Sequence, residues 1–139
     1  MDTCELCNGD GGELIWRNDI LRVVRVLGNE GDMYPGFCRV IWNMHIKEMS
    51  DLSASERNTL MEVVFTIEQV LRDTLKPEKI NLASLGNMTP HVHWHVIPRY
   101  LDDVTYPKPI WVQPDKMNRT KSVAVSEWVE TVQQALFNM

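Results

Sequence analysis

Residues 91–97 read His91-Val92-His93-Trp94-His95-Val96-Ile97. Strict alternation of this kind is the signature of an extended strand, in which successive side chains point to opposite faces. His91, His93 and His95 then share one face. Val92, Trp94 and Val96 share the other, where they pack into a core. Three of the chain's four histidines stand in this run, and the fourth is His45. Imidazole near neutral pH serves as nucleophile, general acid or base, and metal ligand. Three in a row on one face are hard to account for as packing. A metal site made of the three histidines is the serious rival to a catalytic one. Such a site usually recruits a further His or carboxylate close by, and here Pro98-Arg99-Tyr100 follow, with Asp102 and Asp103 only beyond the expected strand end.

The rest of the chain supplies a sheet for this strand. Glu13–Trp16, Ile20–Leu27, Phe37–Asn43 and Ile80–Leu85 read as four further strands, and Gly28 to Gly36 as a turn region. Asp51-Leu52-Ser53 opens a helix, with Ser53 and Glu56 at capping-box spacing. Leu60, Val63, Val64, Ile67, Val70 and Leu71 recur at helical period, and Pro77 marks the stop. Trp128, Val129, Val132, Ala135 and Leu136 predict a last helix over Ser126–Phe137. The proline-rich stretch 102–118 reads as an ordered loop. Hairpin-like connections point to a mostly antiparallel sheet with helices on one face, an α+β domain. With 139 residues the chain is expected to form a single domain, with residues 1–12 as an N-terminal segment carrying a cysteine pair and 101–139 as a C-terminal loop and helix.

A formal net charge of −5 argues against a general nucleic-acid coat. It leaves room for a small anion held by backbone N–H groups, which the tight Gly86-Asn87-Met88-Thr89-Pro90 connection would deliver beside the histidine face. No apolar run reaches membrane-spanning length and the N-terminus does not read as a signal peptide, so the cytoplasm is the expected compartment, with no membrane partner. Three cysteines make a disulfide framework improbable. Cys4 and Cys7, with two residues between them, are compatible with redox chemistry, metal binding or chance. Cys38 reads as a buried strand residue.

The run His91–Ile97 resembles the motif of the histidine triad (HIT) superfamily: His, apolar, His, apolar, His, apolar, apolar. The likeness continues in Tyr34-Pro35-Gly36-Phe37, in the apolar residues up to His45, in Met49-Ser50-Asp51-Leu52 opening a long helix, and in Gly86-Asn87 and Pro98-Arg99 flanking the triad. It covers roughly residues 13–100 and looks like the bacterial diadenosine tetraphosphate hydrolase-like branch. The resemblance implies a five-stranded antiparallel sheet with one long and one C-terminal helix, and a homodimer. It implies a nucleotide hydrolase or nucleotidyl transferase acting on a purine nucleotide, a dinucleoside polyphosphate or a nucleoside phosphoramidate. His93 would attack the α-phosphorus, His95 would donate to a non-bridging oxygen, and His91 completes the triad. No catalytic metal is required by that scheme. Asn29 falls where members place a polar residue near the ribose, and reads equally well as a turn residue. Asn87 and Thr89 are the further nucleotide-binding candidates, and Asn81 and Ser84 the strand-four candidates. Met88 stands where members that cleave phosphoramidates often carry Ser or Thr. The branch with an N-terminal cysteine pair also implies structural zinc held by Cys4, Cys7, His45 and His91. The competing reading is a nucleotide-binding dimer with little turnover. Trp94 is assigned to packing, Trp111 or Trp16 to a base or a dimer seam, and Arg99 lies outside the catalytic set.

Overall fold

The computed structural model describes residues 3–118 and 120–139. Five strands, β1 (Glu13–Arg17), β2 (Leu21–Arg25), β3 (Cys38–Trp42), β4 (Lys79–Ala83) and β5 (His93–Arg99), form one antiparallel sheet in the order β1-β2-β3-β5-β4. Helices α3 (Ala54–Leu75) and α4 (Val125–Phe137) pack on each other and on one face of it. This is the α+β architecture expected from the strand and helix patterns. Two short helices, α1 (Glu5–Asn8) and α2 (Gly28–Met33), were not legible in sequence; the second occupies most of what reads as a turn region.

Alternation in β3 and β5 sorts side chains between two environments. Val40, Val92 and Val96 join Leu60, Val64 and Ile67 of α3 and Trp128 and Val132 of α4 in the main core. Trp94 is half-buried against that core, its indole Nε1 donating to Met49 Sδ at 3.4 Å. Trp16 also packs there rather than over a ligand face. The long helix begins with the expected capping box: Ser53 Oγ accepts from Glu56 N–H at 3.1 Å and Glu56 Oε1 from Ser53 N–H at 2.7 Å. Such a cap contributes about 1 kcal/mol.

The opposite face carries two small covers instead of a helical layer. Toward one end, Cys4 and Leu6 pack on Val24 and Ile41. Gly11 closes this cover against the sheet at φ +85°, where a Cβ would sit 2.6 Å from a Leu6 methyl and 2.9 Å from one of Ile41. Toward the other end, Val104 and Ile110 pack with Tyr34, Phe37 and Ile97. Arg99 holds this second cover. Strand β5 runs unbroken through Pro98, so Arg99 keeps the same parity as His93 and His95. Its Nε and Nη2 donate to the two carboxylate oxygens of Asp103 at 2.9 and 3.0 Å, with 3% and 0% side-chain exposure. Asp103 also accepts from the backbone N–H groups of Tyr100, Thr105 and Tyr106.

Burial opposes ionisation of Asp103, but the guanidinium and these N–H groups outweigh it and hold the carboxyl below its ordinary range. A depressed folded-state pKa contributes stability that is complete above the ordinary carboxylate range and is lost as acid titrates the folded group. Asp103→Asn leaves Arg99 buried and unpaired, so we expect a loss of about 3 kcal/mol in denaturant unfolding. The stability difference from wild type should shrink as the pH is lowered below the ordinary carboxylate range.

Candidate active site and metal centre

His93 and His95 lie between the two covers, 92% and 94% buried by their relative exposures of 8% and 6%. Their rings meet edge to face with centroids 5.1 Å apart. His93 Nδ1 lies 2.6 Å from the His91 carbonyl oxygen. A carbonyl only accepts, so Nδ1 carries the proton and Nε2 keeps its lone pair. The strand is held here from behind, where Ser84 Oγ donates to the His93 carbonyl at 2.7 Å. Burial lowers the pKa of His93, the His91 carbonyl opposes this, and the Arg39 charge adds to it. His95 is pushed down to about 3 by burial, with His93 and Arg39 contributing. Both imidazoles are therefore neutral at pH 7, the state in which a ring nitrogen can attack an electrophile.

His91 lies on the same side of the sheet but ahead of β5, and its ring turns into a separate cluster. Its Nε2 lies 2.5 Å from the Trp42 carbonyl, which fixes the proton there and leaves Nδ1 with a free lone pair able to ligate a metal. That Nδ1 stands 3.5 Å from both Cys4 Sγ and Cys7 Sγ, and His45 Nδ1 stands 3.2 Å from Cys7 Sγ. The four ligand atoms of Cys4, Cys7, His45 and His91 all fall within 4.8 Å of one another. Two thiols and two imidazoles at this spacing suit a tetrahedral zinc ion, whose bonds of about 2.0–2.3 Å place ligand atoms about 3.3–3.8 Å apart. With all four positions taken by protein the ion would cross-link the N-terminal cover to the strands and leave no open coordination position.

Arg22 builds this centre without touching it. It is 4% exposed, and its guanidinium donates to the carbonyls of Leu6, Gly9 and Asp10 and to Asn43 Oδ1 at 2.6 to 3.0 Å. The segment bearing both cysteines is thereby fastened to the sheet. Sequence reading missed Arg22; its one signal is a charge inside the apolar run Leu21-Arg22-Val23-Val24.

A cleft of about 550 Å³ opens over His93 and His95. The Leu85–Thr89 connection borders it on the β4 side, and Glu5, Leu6, Gly11, Glu30 and Arg39 on the β3 side. Trp111 reaches over from the second cover, its ring centroid 5.1 Å from that of His95. A model of the HIT domain family matches residues 22–102, spanning strands β2 to β5, the long helix and the triad. The chain belongs to the HIT domain family. Solved histidine triad proteins share the fold. One from Bradyrhizobium japonicum is 24% identical with a TM-score of 0.69, over 93% of this chain and 90% of that one. Another, from Sinorhizobium meliloti, is 21% identical with a TM-score of 0.69, over 94% and 91%. Among curated proteins, an AP-4-A phosphorylase of Mycobacterium tuberculosis is 25% identical over 103 residues, 68% of this chain and 53% of the relative. The chain thus spans about half the length of the curated relatives it matches.

Within this HIT site the expected residues divide. Asn87 and Thr89 border the cleft. Asn29 is exposed on α2, and its neighbour Glu30 is the residue that borders the cleft instead. Asn81 is committed elsewhere, its Oδ1 accepting from Arg99 Nη1 at 2.9 Å. Ser84 serves the His93 backbone, and neither strand-four candidate borders the cleft.

Metal analysis of the purified protein should return one zinc per chain. Cys4→Ser and Cys7→Ser should each abolish it, whereas His93→Ala should retain it. Arg22→Met should weaken zinc retention against a chelator while leaving all four ligands in place.

Proposed function

We propose that this protein is a histidine triad enzyme that hydrolyses or transfers a nucleotidyl group at the α-phosphate of a dinucleoside polyphosphate or nucleoside phosphoramidate. The observation that carries this reading is the His93 tautomer: Nδ1 is tied to the His91 carbonyl, so Nε2 is the nucleophilic atom, and it belongs to a ring bordering the cleft. In the first step Nε2 forms a bond to the α-phosphorus. The bond from phosphorus to the leaving group breaks, and the leaving group takes the electron pair. In the second step water, or another acceptor, attacks the same phosphorus, its proton passes to solvent, and the P–N bond breaks with its electron pair returning to Nε2, releasing a nucleoside monophosphate or the acceptor's nucleotidyl derivative. His93 is regenerated, and one difficult displacement is split into two. His95 donates to a non-bridging oxygen, and backbone N–H groups of the Gly86–Thr89 turn, with Asn87 and Thr89, share the developing charge.

The AP-4-A phosphorylase similarity supports a dinucleoside polyphosphate as the substrate class. A phosphate leaving group needs no proton at neutral pH, whereas an amine does. Met88, 97% exposed at the position suited to a proton-donating hydroxyl, agrees with the former. The same residue favours the second reading, a nucleotide-binding module with little turnover. Zinc at the Cys4–Cys7–His45–His91 centre has a structural role in this scheme. A homodimer acting in the cytoplasm completes the proposal; no described helix is long and apolar enough to cross a membrane.

Rapid-quench intact mass spectrometry with diadenosine polyphosphates should detect a nucleotidyl adduct on the wild type and none on His93→Ala. Turnover should fall in that variant on the order of a thousandfold or more. Full turnover by His93→Ala would remove His93 as nucleophile. AMP binding with neither adduct nor product would favour the binding module.

A further inference from the structure

Arg39 has no part in the steps above, yet it stands at their centre. On β3 it is directly paired with His95 on β5, so the two side chains emerge side by side on one face. Among the described residues bordering the cleft it is the one lysine or arginine, and two carboxylates, Glu5 and Glu30, border it as well. Its Nη1 donates to the Gly11 carbonyl at 3.1 Å, and its Cζ lies 5.9 Å from the centre of the Phe37 ring. No carboxylate among the described residues comes within ion-pair distance of it. Its Nε is buried with no hydrogen-bond partner, and so is Nδ1 of its cross-strand partner His95. Among the described residues these two are the buried side-chain nitrogens or oxygens left unsatisfied.

A partly buried guanidinium with no counter-ion is costly to fold, and so is an unsatisfied N–H. Both costs fall on adjacent residues of one cleft, beside the nucleophile. An anionic ligand seated against β3 and β5 supplies the counter-charge that no described carboxylate provides. We propose that Arg39 is the cation that binds the nucleotide's phosphate in this cleft, and so biases the site toward polyphosphate substrates. The inference rests on the nucleotide reading above. Guanidinium presents several N–H donors in a fixed plane, keeps its charge throughout, and neither gives nor takes a proton as phosphorus moves onto His93 and off again. It offsets charge on the non-bridging oxygens in both steps. A polyphosphate leaving group brings further negative charge that this cation attracts, whereas an amine leaving group brings none.

Isothermal titration with AMP, ribose 5-phosphate and adenosine separates phosphate from base recognition. It would be run on zinc-loaded wild type, Arg39→Met, Arg39→Lys and Glu30→Gln. In Arg39→Met, AMP and ribose 5-phosphate should bind about tenfold weaker or more, with adenosine unchanged. Arg39→Lys should recover part of the loss. Glu30→Gln should tighten AMP by removing a like charge, and this arm decides the matter should Arg39→Met fail to fold. Phosphate ligands bound within twofold of wild type by Arg39→Met would overturn the proposal. An equal loss for adenosine would also overturn it, placing Arg39 at the base. Unchanged AMP affinity in Glu30→Gln, with Arg39→Met unfolded, would do the same. Failure of the parent reading looks different: wild type would bind none of the three ligands and form no adduct at His93.

Discussion

The pairing of β3 with β5 is the constraint on which the remaining structure hangs. Its register, Cys38 with Val96, Arg39 with His95, Val40 with Trp94 and Ile41 with His93, decides which side chains meet α3 and which meet solvent and ligand. A slip of one residue would exchange the faces, driving imidazoles into the main core and exposing valines. That slip is resisted from both sides. Val40 and Val96 are fully buried under the helices. On the other face, each cover is matched to one end of the same pair: Cys4 and Leu6 to Ile41, and Val104 and Ile110 to Ile97. The hydrophobic pattern that makes the core is thus also what aims the histidines.

Neither cover has enough apolar surface to hold itself, and each is fixed by a buried arginine that reaches out from the sheet. Arg22 gathers backbone carbonyls of residues 6–10, and Arg99 grips Asp103, which in turn gathers backbone N–H groups of residues 100–106. The two devices are complementary in sign: one satisfies orphan acceptors, the other orphan donors. Each replaces the hydrogen-bond ladder that an irregular segment lacks. The cleft between the covers is what this arrangement leaves open.

Much of this was legible in the sequence because it is local. The period-two run gives β5 and its two faces, the helical period and the Ser53–Glu56 box give α3, and the family likeness brings together Cys4, Cys7, His45 and His91. The parts that were not legible depend on contacts between distant segments. Gly28-Asn29-Glu30-Gly31 has poor helix propensity, so α2 is invisible locally. Packing imposes it: a Cβ at Gly31 would collide with the carbonyl of Val26, the residue that follows β2, so the helix closes on that segment only through glycine. That helix turns Asn29 outward and brings Glu30 to the cleft. Arg22 and Arg99 look like surface charges on strands until their partners, separated in sequence or placed by a loop, are known. Arg39 likewise gains its meaning only from its pairing with His95.

His91 uses its side chain and its main chain for different ends. The imidazole belongs to the cysteine cluster, while the carbonyl of the same residue orients the neighbouring His93 ring. The two centres are therefore joined by one residue, with no intervening chain to absorb movement. A shift of that ring toward or away from the thiols turns the peptide plane that faces His93. Ligand geometry in the one centre is in this way a tolerance on ring angle in the other. A substitute at the first triad position must therefore fit the thiols with its side chain and the His93 ring with its backbone.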